Sequence, residues 1–398
     1  MHELHSQDRV DYIFCGASHV SHGIYPKLAD ELLNKKTFCT GTPSQDLRGT
    51  FAMLQETASF YDLEKVFVEL EFAIRGSKDG ESDRGPSESQ FLIYHYLKNP
   101  SVKFNYMIDC TSPKYYLNTF FPLGRNKLIS LNPKDILDNI NAKLSGQYYR
   151  YEYINDKAEY MGKGCVFDKK EVANGTFASE VVKPIPIDEI GFDWKNNVKA
   201  IIDFCKKKNI ALEFYANPST DFYLTEKGNY DEYHKFVSDY LRQFGYAYHD
   251  FSFAKPEYLD LEDSDFSDDN HLNKKGSPKF TKAFCDFYSG KTSEDELFYK
   301  TYKEKTDAQP SKVYGLMLED IDERHVLKFH PVYNHGNKDL ITYDIYFTEE
   351  KTDNKICLAK NSLQNSVTLK KTCSGKIEIY TYYNGKIQAH ATEYVSVL

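Results

Sequence analysis

Between residues 10 and 290 the chain alternates strand-like and helix-like segments, and this limits the available folds more than any other feature. Val10–Cys15 is a short apolar run. Tyr25–Asn34 has helical spacing with Pro26 in its first turn, and Lys36–Thr40 is extended again. Gln45–Tyr61 reads as helix and Lys65–Leu70 as a buried strand. Further on, helices are expected at Trp194–Lys208, Tyr230–Phe244 and Asn273–Tyr288, with strands at Ile210–Tyr215 and Tyr246–Phe251. Strands separated by helices imply an α/β fold, a parallel sheet covered on both faces. Ligands of such sheets gather at the C-terminal strand ends.

Two excursions interrupt the alternation. Gly76–Glu88 is polar and glycine-rich, a loop by composition. Gly146–Pro184 is long, tyrosine-rich and without clear periodicity. It reads as a lid or binding element, or as a solvated excursion with a hairpin of its own.

After about residue 308 the pattern becomes roughly seven short strands within about 85 residues, which suggests a β-sandwich, Ig-like in strand number. Val313–Leu316, Val326–Pro331, Ile341–Phe347, Lys355–Ala359, Ser366–Leu369, Ile377–Tyr383 and Ala389–Val397 are the runs. The expected division is an α/β domain over residues 1–295, a charged linker over 296–309 and the sandwich over 310–398.

A net charge of −9 excludes any general attraction to nucleic acid or to an anionic membrane. The chain has 32 Tyr and 27 Phe but one Trp. Tyrosines line sugar-binding surfaces, but they are also ordinary strand residues. Eight cysteines are scattered without a C-x-x-C pair, which is neither a zinc pattern nor a disulfide framework. The order of the chain leaves open whether Cys357 and Cys373 pair. No apolar run reaches the roughly 18 to 20 residues needed to cross a bilayer, and no signal peptide precedes the first strand.

Two short motifs carry chemistry. Gly16-Ala17-Ser18-His19 places a serine in the turn after the first strand. Asp268-Asp269-Asn270-His271-Leu272-Asn273 places an aspartate three residues before a histidine, after the last strand and before a helix. Both fall at the same sheet edge. A serine hydroxyl is a poor nucleophile until a base takes its proton. Histidine titrates near neutrality, and a carboxylate fixes its tautomer. Taken singly, Ser18 is an ordinary turn residue and Asp268 an ordinary helix cap. His19 and His22 have a spacing that suits a metal, but no third ligand accompanies them, so none is expected. Asn217, before Pro218 at the end of a strand, reads as a turn residue, with a place near the site as the alternative. The acidic run Asp260–Asp269 lacks the glycine and spacing of a calcium loop.

These motifs, in this order, resemble the GDSL/SGNH hydrolases, in particular the branch acting on bacterial cell-surface polymers. Gly16-Ala17-Ser18-His19 looks like the first family block and Asp268-x-x-His271-Leu272-Asn273-x-x-Gly276 like the last. The resemblance covers about residues 10 to 290. It implies a three-layer α/β/α SGNH-like domain and acyl-ester chemistry by Ser18, His271 and Asp268, with no metal and no cofactor. The second block contributes an oxyanion-hole N–H. Gly41 and Ser44 in Thr40-Gly41-Thr42-Pro43-Ser44-Gln45 are the candidates, with His19 shaping the substrate site, while Pro43 has no N–H to give. The third block supplies an asparagine, but Glu69-Leu70-Glu71 stands here instead.

The expectation is therefore a serine esterase or O-acyltransferase acting on O-acyl, chiefly acetyl, groups of a bacterial surface polysaccharide. The alternative is a non-catalytic glycan-binding or scaffold protein with a degenerate site. Expected partners are an acylated polysaccharide or small acyl ester and a membrane acyl-transfer partner, not nucleic acid. The oligomeric state is open. The expected location is extracytoplasmic or cell-surface, with an anchor outside this chain, and a cytoplasmic home is the alternative.

Overall fold

The structure, a computed structural model, describes residues 2–70, 88–116, 132–146, 156–172, 184–190, 192–321, 324–332, 338–369 and 374–396. The first excursion falls outside these residues up to Glu88, as does Cys373.

The expected parallel sheet is present. Its strands are β1 (Tyr12–Cys15), β2 (Thr37–Cys39), β3 (Lys65–Glu69), β6 (Ala211–Ala216) and β7 (Tyr248–Asp250), in the order β2-β1-β3-β6-β7. Every pairing is parallel. Alternate strand residues enter two separate cores, because the side-chain period of a strand is two. Ile13, Cys15, Val66 and Val68 pack with Met53, Leu54, Ile201 and Val237 on one face. Phe14, Phe67 and Tyr215 pack with Phe251, Phe280 and Phe284 on the other. Helices thus cover both faces. The chain steps from central β1 to β2 on one side and then to β3 on the other, so the end of β1 is the point where strand order reverses.

Helix limits follow local caps. The helix expected over Gln45–Tyr61 spans Leu47–Phe60, because the Asp46 side chain accepts from Gly49 N and starts it there. The helix expected from Asn273 starts at Gly276, because Asn273 Oδ1 accepts from Lys275 N and Gly276 N. The second excursion contains an antiparallel hairpin, β4 (Ala158–Gly162) and β5 (Cys165–Asp168).

Toward the C-terminus two antiparallel sheets share one core. One holds β10 (Ile341–Glu349), β11 (Lys355–Ser362), β13 (Ser374–Tyr383) and β14 (Lys386–Ser396). The other holds β8 (Lys312–Ile321), β9 (Arg324–Val332) and β12 (Ser366–Leu369). Ile345, Ile377 and Ile379 of the first meet Val313, Leu327, Phe329 and Leu369 of the second. Phe329 and Tyr343 stand edge to face at 4.8 Å. Cys357 is exposed.

The stretch read as a linker is folded against the α/β body. Glu294–Leu297 and Tyr302–Ala308 are helical, and Leu297 is fully buried among the aromatics around Phe251. Lys305 is buried as well. Its Nζ donates to Ser252 O at 2.7 Å and lies 2.7 Å from Asp221 Oδ1. Lys312, at the start of β8, approaches the other oxygen of Asp221 at 3.2 Å.

Candidate active site

β1 is followed by Gly16, whose missing side chain lets neighbouring groups close in. A Cβ there would lie 2.7 Å from Val20 Cγ2 and 2.9 Å from Glu69 Cβ. Ser18 then opens a short helix, Ser18–Gly23. That helix is gripped from two sides. Asn217 Nδ2 donates to His19 O at 2.5 Å. Ser277 Oγ donates to Gly23 O at 3.0 Å, and Thr281 Oγ1 accepts from Tyr25 N at 2.8 Å. Asn217 therefore holds the serine-bearing helix rather than a turn of its own.

The loop bearing Asp268 and His271 is pinched at its base. Phe266 and Leu272 form an antiparallel bridge, and Ser267 N donates to His271 O at 2.8 Å. Asp268 Oδ1 accepts from Asn270 N at 3.0 Å and from His271 N at 2.8 Å. The same carboxylate lies 2.9 Å (Oδ2) and 3.0 Å (Oδ1) from His271 Nδ1. On the other side of the ring, His271 Nε2 lies 2.8 Å from Ser18 Oγ. One tautomer satisfies every contact: Nδ1–H donates to Asp268, and Nε2 accepts from the serine hydroxyl. The structure thus joins Ser18, His271 and Asp268 in one hydrogen-bonded chain at the C-terminal edge of β1.

Electrostatics reinforce the arrangement. Burial pushes the Asp268 carboxyl up, but its bonds from His271 and the two loop N–H groups pull it down to about 2. His19 is buried, its ring 4.6 Å from that of His271. Burial, helped by the neighbouring His271, lowers it to about 3. With the Asn270 amide oxygen turned toward it, His19 Nε2 donates at 3.1 Å. Burial also lowers His22, against the pull of Asp168 3.3 Å away. Both histidines are therefore neutral near pH 7.

Of the residues proposed for the oxyanion, Gly41 packs against the turn that carries Ser18, and Ser44 is exposed. A Cβ on Gly41 would stand 2.3 Å from Ala17 O, so the backbone of Gly41 lies against the turn that carries Ser18. Ser44 is exposed, with a left-handed φ of 54°. Glu69, where the resemblance implies an asparagine, is buried at the end of β3 with Oε2 4.0 Å from His19 Nδ1. A carboxylate accepts hydrogen bonds and donates none when ionised. Among the described residues no group of three His, Cys, Asp or Glu is arranged to hold a metal ion.

Sequence reasoning missed Asp168, Ser267 and the bracing role of Asn217. None belongs to a motif, and their relation to the site exists only in the fold. A cleft of about 590 Å³ lies behind the same loop, lined among others by Asp221, Asp263, Phe266, Lys312 and His390. It contains neither Ser18 nor His271. Its Asp221–Lys305–Lys312 ion group ties the body to β8 and marks it as a structural seam. No helix among the described residues is long and apolar enough to cross a membrane.

No family model matches the chain, and no curated protein matches it. Among solved structures, β-glucosidase 3B from Thermotoga neapolitana, in complex with α-D-glucose, is similar at 11% identity. The match covers 97% of this chain and 75% of that one with a TM-score of 0.14, a likeness that carries no argument about function.

Proposed function

We propose that the protein is an SGNH-type serine esterase or O-acyltransferase that acts on O-acyl groups, chiefly acetyl, of a bacterial surface polysaccharide. The observation that carries this reading is the chain Ser18 Oγ–His271 Nε2 and His271 Nδ1–Asp268, at 2.8 and 2.9 Å. In this mechanism Ser18 Oγ attacks the ester carbonyl carbon while its proton passes to His271 Nε2. The tetrahedral intermediate collapses, and the leaving alkoxide takes the proton from His271. Water or a sugar hydroxyl then attacks the acyl-enzyme, its proton passing through His271 back to Ser18 Oγ. Asp268 holds the tautomer and stabilises the imidazolium.

The backbone N–H groups of Ser18 and Gly41 are the donors this reading assigns to the oxyanion. Glu69 supplies none when ionised, and one absent donor costs roughly 100- to 1000-fold in turnover. Slow hydrolysis of activated esters is the expected behaviour. The C-terminal sheets, read as an Ig-like sandwich, are proposed to bind glycan, and the protein to work outside the cytoplasm with a membrane acyl-transfer partner.

Glu69 also favours the second reading, a glycan-binding or scaffold protein that kept the fold without turnover. The test is labelling by a fluorophosphonate with mass mapping of the modified peptide, alongside hydrolysis of p-nitrophenyl acetate. Label on Ser18 that is lost in Ser18→Ala supports the enzyme. Absence of both label and turnover supports the binding protein. Release of free acetate as against transfer to an added sugar then separates esterase from transferase.

A further inference from the structure

The hairpin β4–β5 and the arm that follows it touch three parts of the site. At the tip, Cys39 N donates to Lys163 O at 2.9 Å. Gly164 has φ +79°, and a Cβ on it would lie 2.0 Å from Cys39 O, so the tip is seated against the end of β2, close to Gly41. Beyond the hairpin the arm runs along both legs of the loop that carries Asp268 and His271. Val172 N donates to Phe266 O at 2.9 Å, Lys274 N to Asp168 O at 3.0 Å, and Asn273 Nδ2 to Lys170 O at 3.0 Å.

Asp168 is where this arm meets the chemistry. Its Oδ2 accepts from Ser267 Oγ at 3.1 Å, at the base of the acid–base loop. The same oxygen stands 3.3 Å from His22 Nδ1. His22 follows Ser18 by four residues, one turn along the same face of the helix. The His22 ring lies edge-on to His271 at 5.3 Å. One carboxylate oxygen therefore hydrogen-bonds the loop that bears His271 and packs beside the His22 ring of the helix that bears Ser18, without a hydrogen bond to His22 Nδ1. No other described carboxylate makes both contacts.

We infer that Asp168 is a positioning residue, which sets the separation of Ser18 and His271 through its hydrogen bond from Ser267 and its packing against the His22 ring. The inference rests on the reading of Ser18, His271 and Asp268 as an esterase triad. Part of the tyrosine-rich insertion is then a brace built into the site rather than a solvated excursion. Asp168 acts on the reaction only through its neighbours. Its loss should therefore slow chemistry without weakening ester binding.

The experiment uses the full chain with Asp168→Ala, Asp168→Asn, Ser267→Ala and the Asp168→Ala/Ser267→Ala double variant. Two quantities are read: the rate of Ser18 labelling by a fluorophosphonate, and kcat and KM on p-nitrophenyl acetate. Asp168→Ala is expected to lower kcat and the labelling rate by about tenfold or more, toward the roughly 100-fold that a misplacement of about 1 Å costs, with KM within about twofold. Asp168→Asn keeps an oxygen for Ser267 Oγ and should recover most of the loss. If Asp168 works through Ser267, the double variant is no slower than the slower single one. Wild-type labelling in Asp168→Ala, no recovery in Asp168→Asn, or additive losses in the double variant would each overturn the inference. If Asp168→Ala does not fold, Ser267→Ala decides: labelling at the wild-type rate refutes the brace. A wild-type chain that takes no label at Ser18 removes the triad reading itself, and this inference with it.

Discussion

Asp268→Asn keeps the shape of the side chain and turns one acceptor into a donor. Asp268 Oδ1 receives the N–H groups of Asn270 and His271, at 3.0 and 2.8 Å. Those two donors hold the amide oxygen of the variant at the Oδ1 position. The new NH2 then stands in place of Oδ2, 2.9 Å from His271 Nδ1. A donor there favours the imidazole with its proton on Nε2, which faces Ser18 Oγ and cannot take a second proton. In serine hydrolases this tautomer error costs about 10,000-fold in kcat. Here Oδ1 also lies 3.0 Å from Nδ1 and still competes for its N–H. The expected loss is on the order of 1,000-fold, about 4 kcal/mol of barrier. Because the loop N–H groups stay satisfied, stability should change by less than about 0.5 kcal/mol. Asp268→Ala strands both groups and should also lose about 1 kcal/mol of stability. The assay pairs p-nitrophenyl acetate turnover with urea unfolding of both variants. Turnover in Asp268→Asn within tenfold of wild type, or equal destabilisation in the two variants, would refute the reasoning.

Three further outcomes are expected. Ser18→Ala should abolish labelling and ester turnover while leaving stability within about 0.5 kcal/mol, since the removed hydroxyl sits at a half-buried turn; residual turnover at the wild-type rate would exclude Ser18 as nucleophile. Gly41→Ala puts a methyl group 2.3 Å from Ala17 O and must push the Ser18 turn aside, so Ser18 labelling should slow by about tenfold or more. Asp250 is buried, and burial raises its carboxyl to about 6 despite bonds from Tyr230 and Ser252. Its protonation on folding adds stability that is full below about pH 4 and is lost as pH rises through about 6, up to about 3 kcal/mol. Asp250→Asn should therefore stabilise the protein at pH 8 and do little at pH 4, and urea midpoints at the two pH values that shift equally would contradict this.

The sheet and the meeting of Ser18, His271 and Asp268 were legible because each depends on local signals. Apolar runs such as Val66-Phe67-Val68 mark buried strands whatever surrounds them. Ser18 and the Asp268–His271 pair sit at strand ends that a parallel sheet must bring to one edge. What could not be read depends on partners distant in sequence. The charged stretch 296–309 reads as a linker, yet Lys305 is buried because Asp221 and Ser252 O receive its ammonium. Asp168 lies within an aperiodic segment, and only the docking of that segment shows the carboxylate between His22 and Ser267. Ser44 was chosen from a stretch whose turn lifts it out to solvent, while Gly41, three residues earlier, packs inward.

The grip of the helix Gly276–Tyr288 on the end of the serine-bearing helix has a consequence for the order of assembly. Ser18 leaves the ribosome 253 residues ahead of His271, and the hydroxyls of Ser277 and Thr281, which hold Gly23 O and Tyr25 N, come later still. At about 5 to 20 residues per second of synthesis, the serine waits on the order of ten seconds or more before His271 exists. During that interval the turn that carries Ser18 lacks the hydrogen bonds of Ser277 and Thr281. The three residues can meet only once the chain has been made past His271. The serine is made first and joined to its partners last.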